Sequence, residues 1–349
     1  MKITFRWYGK QDRISLQQIK QIPVVSGVVS AIYDIKVGEV WPEEKIKDMV
    51  EMCKANGLEC EVIESVPVHE DIKLGLPTAQ KYIDNYKENI RRLAKYGVKC
   101  ICYNFMPVFD WLRSELEHQN EDGSNSLAYN HNEVLSLNPL TSELSLPGWD
   151  SSYTKEGLKA LLNQYKDINE EKLWENIKHF LEEIIPVAAQ CDVYMGIHPD
   201  DPPWSIFGLP RIITNKENIE RFLKLVDSKY NGITLCTGSL GVASTNDLLE
   251  IIGVCKGKIP FVHIRNIKRR NEFDFCETAH PSNCGDFDMY KILSKLISDG
   301  FDGYIRPDHG RMIWGEKGRY GYGLFDRALG ACYIGGLIEA INKNGGKNE

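Results

Sequence analysis

The sequence predicts an α/β fold, a (β/α)8 barrel of the TIM type with a long insertion after the fourth strand. Three observations carry this. Short apolar runs alternate with amphipathic helical stretches along the chain, the rhythm of parallel strands joined by helices. There are about eight such units, the number that closes a barrel. Four of the later runs end in a ligand-type side chain: Met195-Gly-Ile-His198, Ile233-Thr-Leu-Cys236, Phe261-Val-His263 and Tyr304-Ile-Arg306-Pro-Asp308-His309. Strands that repeatedly finish on a polar group at the C-terminal end are strands aimed at one site.

In chain order the expected strands are 4–8, 27–32, 61–65, 100–105, 194–198, 232–236, 261–267 and 303–306. Each is apolar and bounded by Gly, Pro or Asn. Helical patterns fall between them at 43–56, 82–96, 216–228, 246–255 and 288–298; the first two stop at Gly57 and Gly97, the usual C-terminal signal. Thr245-Asn246-Asp247 and Asp286-Phe287-Asp288 supply N-caps. Between 108 and 169 the rhythm breaks into a segment rich in Asn, Ser, Glu and Trp. A connection of that length inside a compact domain reads as a lid with a subunit contact, the alternative being a decorative excursion. With no Gly/Ser/Pro-rich linker elsewhere, residues 1–349 read as a single domain.

Composition narrows the class of function. With 42% hydrophobic and 26% charged residues the chain has ample core material and is not disordered. A net charge of -7 argues against a nucleic-acid partner. The basic run Lys268-Arg269-Arg270 reads as a solvated loop or, alternatively, as a binding loop for an anionic substrate. Ten cysteines at irregular spacing, without a CxxC pair, suit reduced thiols in a cytoplasmic protein, Cys100 and Cys102 being core thiols. No apolar run approaches a membrane span.

In a closed parallel barrel the strand C-termini converge, so His198, Cys236, His263 and Asp308 meet at one rim. Taken singly each reads as a structural residue, but four in succession, one per strand, read as a metal site. Two imidazoles, a thiolate and a carboxylate form a complete ligand set for a divalent transition metal. Ligand softness points to zinc or ferrous iron, while carboxylate and water suit manganese.

Other rim residues read as substrate contacts. Arg6 and Trp7 end the first strand and Asn104 the fourth. Arg265 and Arg306 lie two positions from His263 and Asp308, hence on the same strand face, where a guanidinium fork takes a carboxylate or phosphate. The alternative for both is pairing with an internal carboxylate. His69, after the third strand, reads as a contact to substrate hydroxyls or as a surface residue. His309 follows Asp308, and Tyr320-Gly-Tyr322-Gly places a tyrosine between flexible glycines. Histidine and tyrosine are both competent proton carriers beside a metal-bound substrate, and packing is the other reading of Tyr322.

At these residues the chain resembles mannonate dehydratase, from Met1 through the last helix. The matching segments are Met1-Lys-Ile-Thr-Phe-Arg-Trp-Tyr-Gly, Ser65-Val-Pro-Val-His-Glu-Asp-Ile-Lys-Leu-Gly, Tyr103-Asn-Phe-Met-Pro-Val-Phe-Asp-Trp, Gly196-Ile-His-Pro-Asp-Asp-Pro-Pro, Cys236-Thr-Gly-Ser, Val262-His-Ile-Arg-Asn and Arg306-Pro-Asp-His-Gly-Arg. The resemblance implies a hydro-lyase on a (β/α)8 barrel that converts D-mannonate to 2-keto-3-deoxy-D-gluconate in hexuronate breakdown. It implies Mn²⁺ or Fe²⁺ held by His198, Cys236, His263 and Asp308, with acid/base roles at His309 and Tyr322, and a homodimer. The expected chemistry is β-elimination, one of His309 and Tyr322 taking the C2 proton and the other assisting departure of the C3 hydroxyl. Two rivals are a sugar isomerase or epimerase on the same barrel and a non-catalytic sugar-acid binding protein. Cys236 and a scarcity of strand-end glutamates speak against the first, and the His309–Tyr322 pair against the second.

Overall fold

The computed structural model describes residues 1–140 and 154–345. Its strands are β1 Lys2–Arg6, β2 Gly27–Ser30, β3 Glu59–Glu64, β4 Cys100–Tyr103, β5 Glu115–Gln119 and β6 Asn125–Tyr129. They continue with β7 Tyr194–Ile197, β8 Asn231–Cys236, β9 Phe261–Ile264, β10 Ile267–Arg269, β11 Phe275–Glu277 and β12 Tyr304–Pro307. Eight of them close a parallel barrel in the order β1-β12-β9-β8-β7-β4-β3-β2. All eight expected strands are present, and the fold is the predicted TIM barrel.

Their bounds differ from the expected ones by one to three residues, and two of the differences have local reasons. The first strand lies two residues earlier than expected because its pairing with β12 already begins at Lys2. The run 261–267 is split because Asn266 turns the chain out of the barrel: its Oδ1 accepts the Ile267 and Phe287 N–H groups, and its Nδ2 donates to the Pro281 carbonyl.

The inner face follows the period of two along each strand. Val29, Val62, Cys100, Cys102 and Phe261 pack as one apolar layer with Tyr304 against it. The next inward positions towards the C-terminal end are polar: Glu64 after Val62, Asn104 after Cys102, His263 after Phe261, Arg306 after Tyr304. Cys100 and Cys102 are core thiols as expected, and all ten cysteines are unpaired. No helix among the described residues is long and apolar enough to cross a membrane.

The helices fill the outer layer. Helix Glu170–Gln190 starts where the insertion was expected to end, with Asn169 Oδ1 accepting the Lys172 N–H at 2.9 Å. Asp247 and Asp288 cap the helices Leu248–Val254 and Met289–Ser298. A second, antiparallel sheet in the order β10-β11-β6-β5 was not foreseen. It joins the insertion to the loop after β9, with Tyr129 stacked on Phe275 at 5.5 Å. Its hairpin had a local signal, Asp122-Gly123 between two alternating runs, with Gly123 at φ +80°. Residues 141–153 of the insertion lie outside the described residues.

Candidate active site and metal centre

The C-terminal face of the barrel opens into a cleft of about 1010 Å³. His198 lines it, and the ligand atoms of His198, Cys236 and His263 lie within 4.8 Å of one another. Asp308 adjoins this trio rather than belonging to it: its Oδ2 is 3.5 Å from Cys236 Sγ and its Oδ1 3.9 Å from His263 Nδ1.

The donors are prepared as metal ligands usually are. His198 Nδ1 donates to the Pro199 carbonyl at 2.7 Å, which leaves Nε2 with a free lone pair. The Ser239 N–H and the Arg265 guanidinium both donate to Cys236 Sγ, each at 3.4 Å, an environment suited to a sulfur carrying negative charge. His263 is fully buried, and its Nε2 has no hydrogen-bond partner among the described residues. A buried imidazole beside a thiol and a second imidazole, its Nε2 without a hydrogen bond and 3.4 Å from Glu64 Oε2, fits a divalent metal. A second grouping, Glu64 with Cys102 and His263, shares that imidazole. There Arg306 holds Glu64 at 3.0 Å and Arg6 approaches it at 3.7 Å, and these two cations disfavour a further cation. Burial works against the Glu64 carboxylate, yet Arg306, His263 and Arg6 keep its pKa well below the ordinary value.

Beside the candidate ligands runs a chain of hydrogen bonds. Tyr322 Oη lies 3.0 Å from His309 Nε2, and His309 Nδ1 lies 2.8 and 2.9 Å from the two Glu277 oxygens. Burial pushes the Tyr322 phenol well above its usual pKa, so its O–H donates to Nε2. Glu277 is held ionised, below the ordinary carboxylate value, by His309, Arg113 and Arg265 against the cost of burial. Two acceptors cannot bond each other, so Nδ1 carries the hydrogen donated to Glu277. Tyr322, His309 and Glu277 are therefore one chain of hydrogen bonds.

A buried charge network fixes that chain. Arg113 donates to both Asp201 oxygens, at 2.8 and 3.1 Å, and to Glu277 at 2.7 Å. Arg265 donates to Asp201 at 2.7 Å and to Glu277 at 3.2 Å, and its Nε lies 3.4 Å from Asp308. Gly238 permits this placement: a Cβ there would lie 1.8 Å from Arg265 Nε.

The structure brings most of the expected residues to the cleft. Arg6, His69, Asn104, His198, Arg265, Arg306, Asp308, His309 and Tyr322 line it, while Cys236 and His263 are fully buried beside His198. Trp7 does not reach it. Strand faces alternate, so Arg6 points inward while Trp7 is 4% exposed in the hydrophobic core. Arg265 and Arg306 take the alternative reading, their guanidinia being engaged by internal carboxylates. Arg6 keeps capacity, since its buried Nη1 has no hydrogen-bond partner among the described residues. His69 accepts the Asp71 N–H as a helix cap and stacks on Tyr82 at 3.6 Å. Tyr322, not Tyr320, meets His309. Lys268 and Arg269 lie in β10 and Arg270 directly after it, outside the cleft lining, with Lys268 and Arg269 paired to Asp286.

Several site residues escaped the sequence reading. Glu64 is a strand-end glutamate, so the supposed scarcity of them was no argument against an isomerase; the strand-end rule itself would have found it. Asp201, Arg113 and Glu277 carry no local signal, because their role exists only through contacts spanning 12 to 164 residues of sequence. Asp110 and Trp111 line the cleft from the turn after β4, where Val108 adopts φ +59°, an outlier for a β-branched residue of the kind found at functional sites. Burial pushes the Asp110 carboxyl above its usual pKa, against the pull of His198, Lys73 and Arg211.

A parallel barrel with a His–Cys–His ligand trio and a buried Tyr–His–Glu proton path at its C-terminal mouth defines a (β/α)8-barrel enzyme with a candidate metal centre. Comparison with known proteins narrows this to a family. The family model described as D-mannonate dehydratase matches residues 1–348, and the chain belongs to that family. It is 57% identical to a mannonate dehydratase from Thermotoga neapolitana, covering 98% of each chain. It is 55% identical to a mannonate dehydratase from Halalkalibacterium halodurans, over 98% of this chain and 100% of that one. Among solved structures, mannonate dehydratase from Streptococcus suis serotype 2 superimposes with a TM-score of 0.93 at 46% identity, covering 99% of this chain and 96% of that one. A D-psicose 3-epimerase from Clostridium cellulolyticum, 13% identical with a TM-score of 0.56 over 98% of this chain and 97% of that one, shares the fold alone.

Proposed function

We propose that this hydro-lyase dehydrates D-mannonate to 2-keto-3-deoxy-D-gluconate, with a divalent metal, Mn²⁺ or else Fe²⁺, held by His198, Cys236, His263 and Asp308. The observation that carries the reading is the adjacency of the ligand trio, within 4.8 Å, to the Tyr322–His309 hydrogen bond at 3.0 Å. A bound divalent metal supplies Lewis-acid stabilisation of the negative charge that develops next to the substrate carboxylate, a contribution of several kcal/mol.

The chain's own groups do the rest. Arg6, whose buried Nη1 makes no hydrogen bond among the described residues and only approaches Glu64 at 3.7 Å, receives the sugar-acid carboxylate. Asn104 and His69, on the cleft wall, contact hydroxyl groups. Tyr322 takes the C2 proton while its own proton moves to His309 Nε2, and Glu277 holds the resulting imidazolium through Nδ1. The C3 hydroxyl leaves as water, and the enol ketonises to the 2-keto acid.

The insertion, residues 108–169, serves as the lid of a single-domain enzyme. In support, helix Lys155–Gln164 gives Gly157, Ala160, Leu161 and Gln164 to the cleft wall. The expected homodimer finds an apolar surface in Trp314, 74% exposed and packed on Phe325, and sedimentation reads the assembly. Ten unpaired cysteines favour the cytoplasm. The deciding experiment strips metal with a chelator, restores Mn²⁺ anaerobically, adds D-mannonate and assays the 2-keto-3-deoxy acid. Metal-dependent product is expected; folded protein inactive with both Mn²⁺ and Fe²⁺ would overturn the reading in favour of an isomerase.

A further inference from the structure

β-Elimination of water needs two proton transfers, one from C2 and one to the departing C3 oxygen. Tyr322 and His309 are bonded to each other on one wall of the cleft, so they act on one proton as a unit. The second transfer needs a group elsewhere. Among the cleft-lining carboxyls, Glu64, Asp201 and Asp308 are held by arginines, Asp34 and Glu70 by Lys45 and Lys73, and Asp71 by the Thr78 hydroxyl. Asp110 is different. Its Oδ1 accepts the Trp111 N–H at 3.0 Å, and its Oδ2 has no hydrogen-bond partner among the described residues.

Its place in the barrel suits the task. Asp110 follows β4, and His309 follows β12; these strands are four places apart in the ring of eight, on opposite walls. The ligand-bearing strands β7, β8 and β9 lie between them on one side. Trp111 spans the gap, its ring 4.6 Å from that of His309 and 6.4 Å from that of Tyr322. A substrate lying over the metal ligands therefore has the Tyr322–His309 unit on one side and the open oxygen of Asp110 on the other.

We propose that Asp110 is a second catalytic residue, the acid that protonates the departing C3 hydroxyl. Tyr322 and His309 accept the C2 proton, and the C2–H electron pair becomes the second bond between C2 and C3. The C3–O bond breaks, its pair leaves on oxygen, and that oxygen takes the Asp110 proton and departs as water. Afterwards His309 loses a proton to solvent, and Asp110 regains one. The assignment rests on the dehydratase reading above.

Asp110→Asn, compared with wild type as metal-loaded enzyme, tests it on two substrates. On D-mannonate the variant should lose on the order of 10² to 10⁴ in kcat. On 3-deoxy-3-fluoro-D-mannonate the C–F bond breaks with its pair on fluorine, and fluoride leaves without a proton. Fluoride release by the variant should stay within about tenfold of wild type, which is about 1.4 kcal/mol in barrier height. Equal losses on both substrates would overturn the proposal, because a structural defect does not distinguish leaving groups. Undiminished dehydration would overturn it too. If Asp110→Asn does not fold, Asp110→Glu, which displaces the same carboxyl, should show the same preference for fluoride over hydroxide. Wild-type turnover of D-mannonate in the same assay separates failure of the dehydratase reading from failure of this one.

Discussion

Replacing Glu277 with glutamine tests the proton path at the residue least visible in the sequence. Glu277 reaches no cleft atom by itself; it acts by holding His309 at 2.8 Å and stabilising the imidazolium formed as Tyr322 passes a proton on. Unit charges at that separation interact by about 6 kcal/mol at an effective dielectric of about 20. Arg113 and Arg265 already offset part of the Glu277 charge, at 2.7 and 3.2 Å. A loss of about 3–5 kcal/mol in the transition state remains, or roughly 10² to 10⁴ in kcat. Glutamine keeps the volume and one acceptor oxygen, so the folded state loses less, about 1–3 kcal/mol for the weakened charged hydrogen bonds. The assay is steady-state dehydration of D-mannonate with metal content and urea unfolding measured in parallel. The expected result is a kcat defect with KM and bound metal near wild type, partly restored in Glu277→Asp. A kcat within about threefold of wild type, under 1 kcal/mol, would refute the proposed path.

The barrel and the clustering of His198, Cys236 and His263 were legible because each depends on local pattern plus one general rule. Period-two alternation puts Val62 and Glu64, or Phe261 and His263, on one face, and parallel closure brings the C-terminal ends together. The same alternation excludes Trp7, one residue beyond Arg6, so that misplacement was avoidable. Glu277 was not legible: it meets His309 only because β11 pairs with β6 of the insertion, 146 residues away at Phe275↔Tyr129. The choice of Tyr322 over Tyr320 depends on the turn between them, where Gly321 has φ +78° and a Cβ would lie 3.4 Å from His309 Cγ. Arginine roles were legible only as alternatives, since which guanidinium stays free is decided by carboxylates on other strands.

Three further predictions follow from these contacts. Tyr322→Phe should lower kcat by on the order of 10² to 10⁴, measured at saturating D-mannonate, while Tyr320→Phe stays near wild type. Equal behaviour of the two variants would contradict the 3.0 Å contact between Tyr322 and His309. Gly238→Ala forces a Cβ to within 1.8 Å of Arg265 Nε, so Arg265 must move. Overpacking costs about 1–3 kcal/mol, and urea unfolding should show it together with loss of activity. The last concerns acid stability. Asp201 is fully buried, yet Arg113 and Arg265 hold its pKa far below the ordinary carboxylate value. In the unfolded chain an aspartate titrates near about 3.9. Above that pH both states bind the same number of protons at Asp201, and its contribution to stability is fully present. Below it the unfolded chain gains a proton that the folded one refuses, so stability falls as pH drops. Asp201→Asn should therefore be less stable than wild type near neutral pH, and its stability should decline less steeply below about pH 4 in urea unfolding. Parallel acid limbs for the two proteins would show that the Asp201 charge is not tied to folding and that the arginine pair is held by other means.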